Sequence, residues 1–537
     1  MSSDLSGLGL VPSETRPPLP GGGPQHTAEV IDRAVAAAPE RECLVGRHGR
    51  YSFAELDAAA NRAANALAAL GVVPGARVAA CLPNDADLPV LFLATQRLGA
   101  LWVGVSRLLA PPEKAYLLRD AGAHAYVTLR ESAGEIEARR GELPELAHVV
   151  GIAPGEPDCD WRRRCEAASA SRPAAPLDPF APAAIAYTSG TTGHPKGAVH
   201  SAHNLLLPGT ISHLTRRVPE GTRQGAVLPL TILNLVVLEV LAPWLDGRTV
   251  VAIDRIDPLG LAEWIRNERV GAFSGVPTIF HDLLTHPEVK PADLASLVAP
   301  GVGGSDVPPE VVRLYRERFQ RPVGIGYGMT EAPTAVTWSD GSVPSGPGLC
   351  GKPLPQVEIE IVDEEGRLLP PGEIGEITVR PARSGPYAGV YTPMLGYWRK
   401  PEATAAALRD GHYHTGDLGL LAEDGNLYIR GRRNELILRG GANVYPAEVE
   451  RALQEHEGVA YAAVFGLPDE RLGERVVAVV EPPAGVAAPS EEELRQFCTE
   501  RIARYKVPHR IASVPQMPRN AMNKIVKREL AGLFRSG

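Results

Sequence analysis

The 537-residue sequence predicts an α/β protein. It has a large N-terminal domain of two doubly wound αβ subdomains plus a small β-rich subdomain, followed by a smaller, mobile α+β C-terminal domain. Three observations carry this. Short apolar runs alternate with amphipathic, capped segments as far as Tyr327, the pattern of a parallel sheet wound with helices. From Gly346 to Ile429 the pattern becomes short strands separated by turns. After Gly431 helices and strands return in one compact segment. The expected limits are 1–26 for a mobile Pro/Gly/Ser-rich segment, 27–432 for the N-terminal domain and 433–537 for the C-terminal one.

In chain order, a helix is expected from Phe53 to Leu70. Ser52 and Glu55 make its capping box, Leu56, Ala60, Ala63, Leu67 and Leu70 its apolar stripe, and Gly71 its stop. Arg77–Leu82 and Ala125–Leu129 are expected strands, and Leu88–Leu98 a helix between them. Residues 154–182 form a Pro/Ala/Asp-rich connector. Beyond it come strands at Ala226–Pro229 and Thr249–Ile253 and the helix Pro258–Glu268. Val357–Val362 and Glu376–Val379 are strands of the β-rich unit. Helices Ala447–Gln454 and Glu491–Ala503, with strands Ala460–Phe465 and Val476–Glu481, complete the chain.

Composition excludes several function classes. The net charge is −8 and no basic stripe occurs, which argues against a nucleic-acid partner. Six scattered cysteines without a C-x-x-C pair signal neither a zinc site nor a disulfide framework. The N-terminus lacks a basic and apolar leader. The most apolar run, Thr231–Leu245, is too short to span a bilayer and carries Asn234, Glu239 and Pro243, so a cytoplasmic location is expected. Glycine (55) and proline (50) are in excess, which with an ordinary apolar content points to turns and backbone-mediated contacts.

The string Tyr187-Thr188-Ser189-Gly190-Thr191-Thr192-Gly193-His194-Pro195-Lys196-Gly197 combines glycines, hydroxyls and one lysine. Glycines let backbone N–H groups approach an anion, hydroxyls donate to it, and lysine adds charge. The string lacks the Gly-Lys-Ser/Thr ending of a Walker loop. It resembles the signature of the adenylate-forming superfamily, which comprises acyl-CoA synthetases, peptide-synthetase adenylation domains and firefly-type luciferases. The Tyr51–Leu82 opening, Tyr327-Gly328-Met329-Thr330-Glu331, Gly372–Ile377, Thr415-Gly416-Asp417, Gly431-Arg432 and Lys524 follow in that family's order.

The resemblance implies ATP, Mg²⁺ and coenzyme A as ligands, and it implies the role of each residue. Thr188, Ser189, Gly190, Thr191, Thr192, Gly193 and Lys196 would hold phosphates. Thr330 would touch the α-phosphate, Glu331 would hold Mg²⁺, and Tyr327, with Gly328 beside it, would stack on adenine. Gly303 and Gly304 would border adenine and the acyl pocket. Asp417 and Arg432 would take the ribose or a phosphate. Lys524 would bridge the carboxylate substrate and the α-phosphate. Asn434 would be the hinge, and Gly440 and Gly441 would line a pantetheine tunnel.

Three positions depart from the family's pattern. Asn523 replaces a glycine, and asparagine tolerates the positive φ this suggests. Asn434 replaces the usual Asp or Lys, and Ile232 replaces a common histidine. No aspartate lies between Val227 and Trp244 to meet an α-amine, and Gly326 stands where malonate-type enzymes carry an arginine, so amino acids and dicarboxylates are disfavoured. Gly303, Gly304 and Gly326 would leave room in the pocket, and Ile232, Leu233 and Val276 would make its walls apolar. The expected function is an ATP-dependent acid–CoA ligase acting on a hydrophobic monocarboxylic acid, aryl or medium- to long-chain aliphatic. The alternatives are transfer to the thiol of an acyl carrier protein, or adenylate binding without turnover.

Overall fold

Apolar runs and capped helices build two sheets, both in the first of two compact units into which the chain divides: Met1–Gly346, Cys350–Ile359 and Val379–Tyr413. The structure, a computed structural model, describes all residues except 1–4, 6, 12–16, 157, 189–194, 216–217, 304–306, 308, 321, 323, 333, 342–345, 347, 440–441, 470, 521–523 and 535–537. The first sheet has the spatial order Gly324–Gly326, Ala299–Gly303, Val270–Gly275, Arg223–Ala226, Val250–Ala252, Glu42–Val45 and Arg50–Ser52. Its strands are parallel except for the last pair. One face packs Val45, Val251, Val270, Phe273 and Val302 against Leu261, Ile265, Phe280 and Tyr315 of the flanking helices. Each such side chain contributes about 2 kcal/mol of burial.

The second sheet runs Gly396–Tyr397, Lys196–Ser201, Pro182–Thr188, Leu101–Gly104, Arg77–Cys81, Ala125–Leu129 and His148–Ile152. It is parallel except for the first two pairings. The helix Phe53–Ala69 starts at Ser52, whose Oγ accepts from the Glu55 N–H while Glu55 accepts from the Ser52 N–H, and it gives way to Gly71 at φ +79°. Arg97, fully buried, ends the helix Asp87–Arg97 and donates to Asp57 (2.6 Å) and Asn61 (2.7 Å), which locks the two helices together.

Several elements differ from expectation. The strand expected at Ala226–Pro229 is Arg223–Ala226, because the Asn84 side chain lifts the next residues off the sheet. Its amide donates to the carbonyls of Ala226 (3.0 Å) and Leu228 (2.9 Å) and accepts from the Leu230 N–H (2.8 Å). The 154–182 connector contains the helix Asp160–Ala167, anchored by buried Trp161. Asn61, Arg62 and Asn65 then hold the carbonyls of Glu166 and Ala168–Ser171 along the helix Phe53–Ala69, so polar side chains replace an apolar stripe as the glue. In the N-terminal segment expected to be mobile, Leu10 and Leu19 are buried and the Val11 N–H donates to the Leu395 carbonyl.

The second unit comprises Pro347–Leu349, Glu360–Thr378 and His414–Gly537. Its main sheet has the order Ala442–Val444, Ile437–Arg439, Gly473–Glu481 and Tyr461–Asp469, with Arg510–Ser513 also paired to Gly473–Glu481. Val476, Ala478 and Val480 face the helices Pro446–Gln454 and Glu491–Thr499, whereas Val479 and Ala463 pack against Met517 and Leu530 on the other side. Burial on both faces explains the unbroken apolar run. The last of these helices stops at Thr499, short of the expected Ala503, in turns where the N–H groups of Arg501 and Ile502 share the Cys498 carbonyl.

Asn84 satisfies three backbone groups that leave the sheet. Asn84→Ala should lower the free energy of unfolding by about 3 kcal/mol, roughly 1 kcal/mol per lost bond, measured by urea denaturation.

Candidate active site

Chemistry-bearing residues cluster separately in each unit. In the first, Thr188 and Lys196 face each other in register at the open end of an antiparallel pair, and the Thr188 hydroxyl donates to the Lys196 carbonyl (3.4 Å). The loop residues Ser189, Gly190, Thr191, Thr192 and Gly193 lie outside the described residues, as do Gly304, Gly440, Gly441 and Asn523. Alternation along Lys196–Ser201 sends Val199 into the core and Lys196 and His200 to the opposite face. Gly197 is required because a Cβ there would lie 2.6 Å from Ile185 and 3.2 Å from the Tyr187 ring.

Tyr327 follows the strand Gly324–Gly326 and is buried, its N–H donating to Thr337 Oγ1 (3.3 Å). Gly328–Met329 then pairs with Thr334–Ala335, so Thr330 and Glu331 sit in the turn of a tight hairpin. Two residues that sequence reasoning did not single out fix that turn. Buried His200 donates from Nε2 to the Thr330 carbonyl (2.7 Å). Tyr397 donates its hydroxyl to Glu331 Oε1 (2.8 Å), and its ring lies 4.4 Å from Lys196 Nζ. Tyr397 thereby ties the lysine of the Gly-rich string to the carboxylate of the Thr-Glu turn. Its signal was the Gly396-Tyr397-Trp398 run, which shows its meaning only through pairing with Ala198 and Val199.

Gly303 and Gly326 lie side by side on parallel strands, and a Cβ on Gly303 would be 3.1 Å from the Gly326 carbonyl oxygen. The room expected beside Gly326 is taken by the Trp338 indole, with Cε3 3.2 Å from where a Cβ would sit. Ile232 is half-buried and precedes the helical segment that begins at Leu233. Val276 is buried and packs in the core with Val302 and Phe280.

In the second unit, Asp417 and Arg432 are cross-strand partners and form an ion pair (Arg432 Nε to Asp417 Oδ1, 3.1 Å). Gly416 makes the preceding turn at φ +72°, and its N–H donates to Glu376 Oε1 (3.2 Å). Thr415 donates to the Ile377 carbonyl (2.7 Å) and accepts from the Asp417 N–H (3.0 Å). Buried Glu376 also receives His414 (3.1 Å) and Arg433 (3.3 Å), so it is the anchor of the Thr-Gly-Asp turn. Asn434 lies in the single turn Arg433–Glu435 between the strands Leu427–Arg432 and Ile437–Arg439. Lys524 is tied to Asn520: the Asn520 N–H donates to the Lys524 carbonyl (2.8 Å) and the Lys524 N–H to Asn520 Oδ1 (3.0 Å). Burial and the charge of Arg432 push the Lys524 ammonium pKa below its usual value, against the opposing pull of Asp417 and Glu435. Two cations thus share one nearby carboxylate pair in a partly dry setting, an arrangement that favours an incoming anion. Among the described residues no group of three or more His, Cys, Asp or Glu could hold a metal ion, and no helix is long and apolar enough to cross a membrane.

The AMP-binding enzyme family matches residues 31–398, and the AMP-binding enzyme C-terminal domain matches residues 448–524. A feruloyl-CoA synthase of Amycolatopsis sp is 35% identical over 91% of this chain and 95% of its own length. The long-chain-fatty-acid–CoA ligase FadD13 of Mycobacterium tuberculosis is 31% identical over 89% of this chain and 92% of its own. Among solved structures, the anthranilate CoA ligase AuaEII in complex with anthranoyl-AMP superposes with a TM-score of 0.86 at 27% identity, covering 95% of this chain and 97% of that one.

Burial lowers the His200 pKa from 6.5 to about 4, so the ring is neutral, and its Nδ1 is buried without a partner among the described residues. A folded-state pKa below the unfolded one means that the unfolded chain binds the extra proton first, and stability is lost as pH falls from 6.5 towards 4. His200 should account for about 2 kcal/mol of that loss by pH 5. Denaturation at pH 7.5 and pH 5 should show a smaller acid loss in His200→Gln than in the native chain.

Proposed function

We infer from its membership of the AMP-binding enzyme family, to which the chain belongs, that this protein is an AMP-forming acid–CoA ligase. In the first half-reaction a carboxylate oxygen of the acid attacks the α-phosphorus of ATP. The bond to the bridging oxygen breaks, giving acyl-AMP and pyrophosphate. In the second, the CoA thiol loses its proton and its sulfur attacks the acyl carbon, releasing AMP. The relatives named for ferulate, long-chain fatty acids and anthranilate support a hydrophobic monocarboxylic acid as the substrate.

The observation that carries the mechanistic reading is the gathering in one unit of Asp417 and Arg432, partners across two consecutive strands, with Lys524, which is far from both in sequence. In our reading Asp417 accepts the ribose hydroxyls and Arg432 turns from it towards the nucleotide. Lys524 donates to the oxygens on which charge builds as the carboxylate attacks. The Thr330 hydroxyl donates to the α-phosphate, while Thr188, the 189–193 loop and Lys196 hold the β- and γ-phosphates. Tyr327 stacks on adenine. The donor set at Glu331 suits Mg²⁺, which prefers one or two carboxylates together with substrate phosphates to an all-protein cage. Glu331 would hold the ion, with Tyr397 orienting its carboxylate through the hydrogen bond to Oε1. The ion, when bound, neutralises phosphate charge and orients the leaving pyrophosphate. For thioester formation, residues 433–537 rotate about Asn434 and bring Gly440 and Gly441 against the pantetheine arm.

Pyrophosphate release from ATP over a panel of carboxylic acids, with and without CoA, tests the reading. Acid-dependent release followed by CoA-dependent thioester is the expected result, and its absence across a broad panel overturns it. Running the second step with free CoA beside a holo-carrier protein separates the two thiol acceptors. Lys524→Ala should lose adenylation by at least 100-fold while still converting supplied acyl-AMP. Because the Lys524 ammonium titrates below 10.5, adenylation should fall on an alkaline limb beneath that value, and Arg432→Gln should move the limb upward. Tyr397→Phe keeps the ring against Lys196 but frees Glu331. It should raise the Mg²⁺ concentration needed for half-maximal adenylation roughly tenfold, in keeping with the effect of other outer-sphere partners of a metal ligand.

A further inference from the structure

Four glycines face one another in register on two adjacent strands of the first sheet: Gly301 and Gly303 on one, Gly324 and Gly326 on the next. Glycine weakens a strand, so such a cluster marks a close approach. Val302 between the first two points into the core, so all four glycines present their bare backbone to the opposite face. That face is the one beside the helical segment that starts after Ile232, because buried Glu239 of this segment accepts from the Ser274 N–H (3.1 Å), and Ser274 pairs with Gly301.

The approaching group is an indole. Ser339 and Ile325 exchange two backbone hydrogen bonds (2.8 and 2.9 Å), which adds the 337–339 segment to the sheet beyond Gly324–Gly326. From there the Trp338 side chain reaches across two strands. A Cβ on Gly324 would collide with the ring at Cζ2, one on Gly326 would lie 3.2 Å from Cε3, and one on Gly301 would lie 3.3 Å from Cη2. Three glycines are therefore the seat of one tryptophan. Gly303 has no indole atom within 4 Å of its Cβ position. This face is therefore closed by the indole at the Gly301–Gly324 end.

We propose that Trp338 sets the depth of the acyl pocket and restricts the acid to a compact, ring-sized acyl group, at the expense of extended alkyl chains. This rests on the acid–CoA ligase reading and narrows its substrate class from hydrophobic monocarboxylates in general. The indole edge offers a flat ring the offset or edge-to-face contact that aromatic pairs favour, whereas a long chain would have to displace the indole from its glycine seat.

The test compares benzoate, cinnamate, octanoate and hexadecanoate as substrates for the native enzyme, Trp338→Ala and Trp338→Leu, by pyrophosphate release. The native kcat/KM for the two aryl acids should exceed that for hexadecanoate at least tenfold. Trp338→Ala should raise the hexadecanoate-to-benzoate ratio at least tenfold, and Trp338→Leu, which keeps a smaller cover on the glycines, should raise it less. Calorimetric binding of non-hydrolysable acyl-sulfamoyl adenosines carrying the same four groups should give the same order. A native enzyme that takes hexadecanoate as well as benzoate, or variants whose ratio is unchanged, overturns the role of Trp338. Absence of pyrophosphate release with every acid would count against the ligase reading alone. In that case the binding order decides on Trp338, and equal binding of all four analogues, or none, rejects it.

Discussion

One antiparallel strand, Lys196–Ser201, is the constraint on which the first unit's chemistry depends. It breaks the parallel order of its sheet, and its alternation puts Val199 in the core while Lys196 and His200 face away from it. Its far edge accepts Gly396–Tyr397, and from that pairing Tyr397 reaches both Lys196 and Glu331. His200, held neutral by burial, takes the Thr330 carbonyl. The lysine of the Gly-rich string and the carboxylate of the Thr-Glu turn are thus set by the same few backbone hydrogen bonds. Preorganisation of this kind spares a site the reorganisation that flexible surface charges would undergo on binding a triphosphate.

The second unit solves a different problem. Arg432 and Lys524 repel each other, and burial disfavours the charge on Lys524. Asp417 offsets this through its bond to Arg432, and Glu376 fixes the turn that presents Asp417. The proposed nucleotide role rests on this balance of two cations against one directly paired carboxylate. Lysine suits the moving role because its charge sits at one flexible point, while arginine suits the paired position, where a planar fork meets a carboxylate.

Local signals were legible wherever a short-range rule decided the outcome. The Ser52 capping box, the Pro258–Glu268 helix and the Ala125–Leu129 and Val357–Val362 strands all formed where side-chain periodicity and caps placed them. The elements that shifted did so through long-range contacts. Asn84 pulls residues 226–230 from the sheet across more than a hundred positions, and Asn61, Arg62 and Asn65 bind the connector through its backbone, which leaves no apolar pattern to detect. Of the site, the ordered motifs singled out Thr330, Glu331, Asp417, Arg432 and Lys524. Tyr397, His200 and Glu376 were not apparent because each acts on a residue far away in sequence.

The Gly and Pro excess, the capped helices and the ordered motifs by themselves determined an α/β adenylate-forming chain, because these depend on short stretches of backbone. Only the tertiary structure decided what the glycines of the first sheet are for. In the sequence Gly326 is a vacant position beside a pocket, whereas in the fold a tryptophan from a neighbouring strand fills the space that it and Gly324 leave. A missing side chain says that something approaches, and only the packing of the whole sheet says whether that something is the ligand or the protein itself.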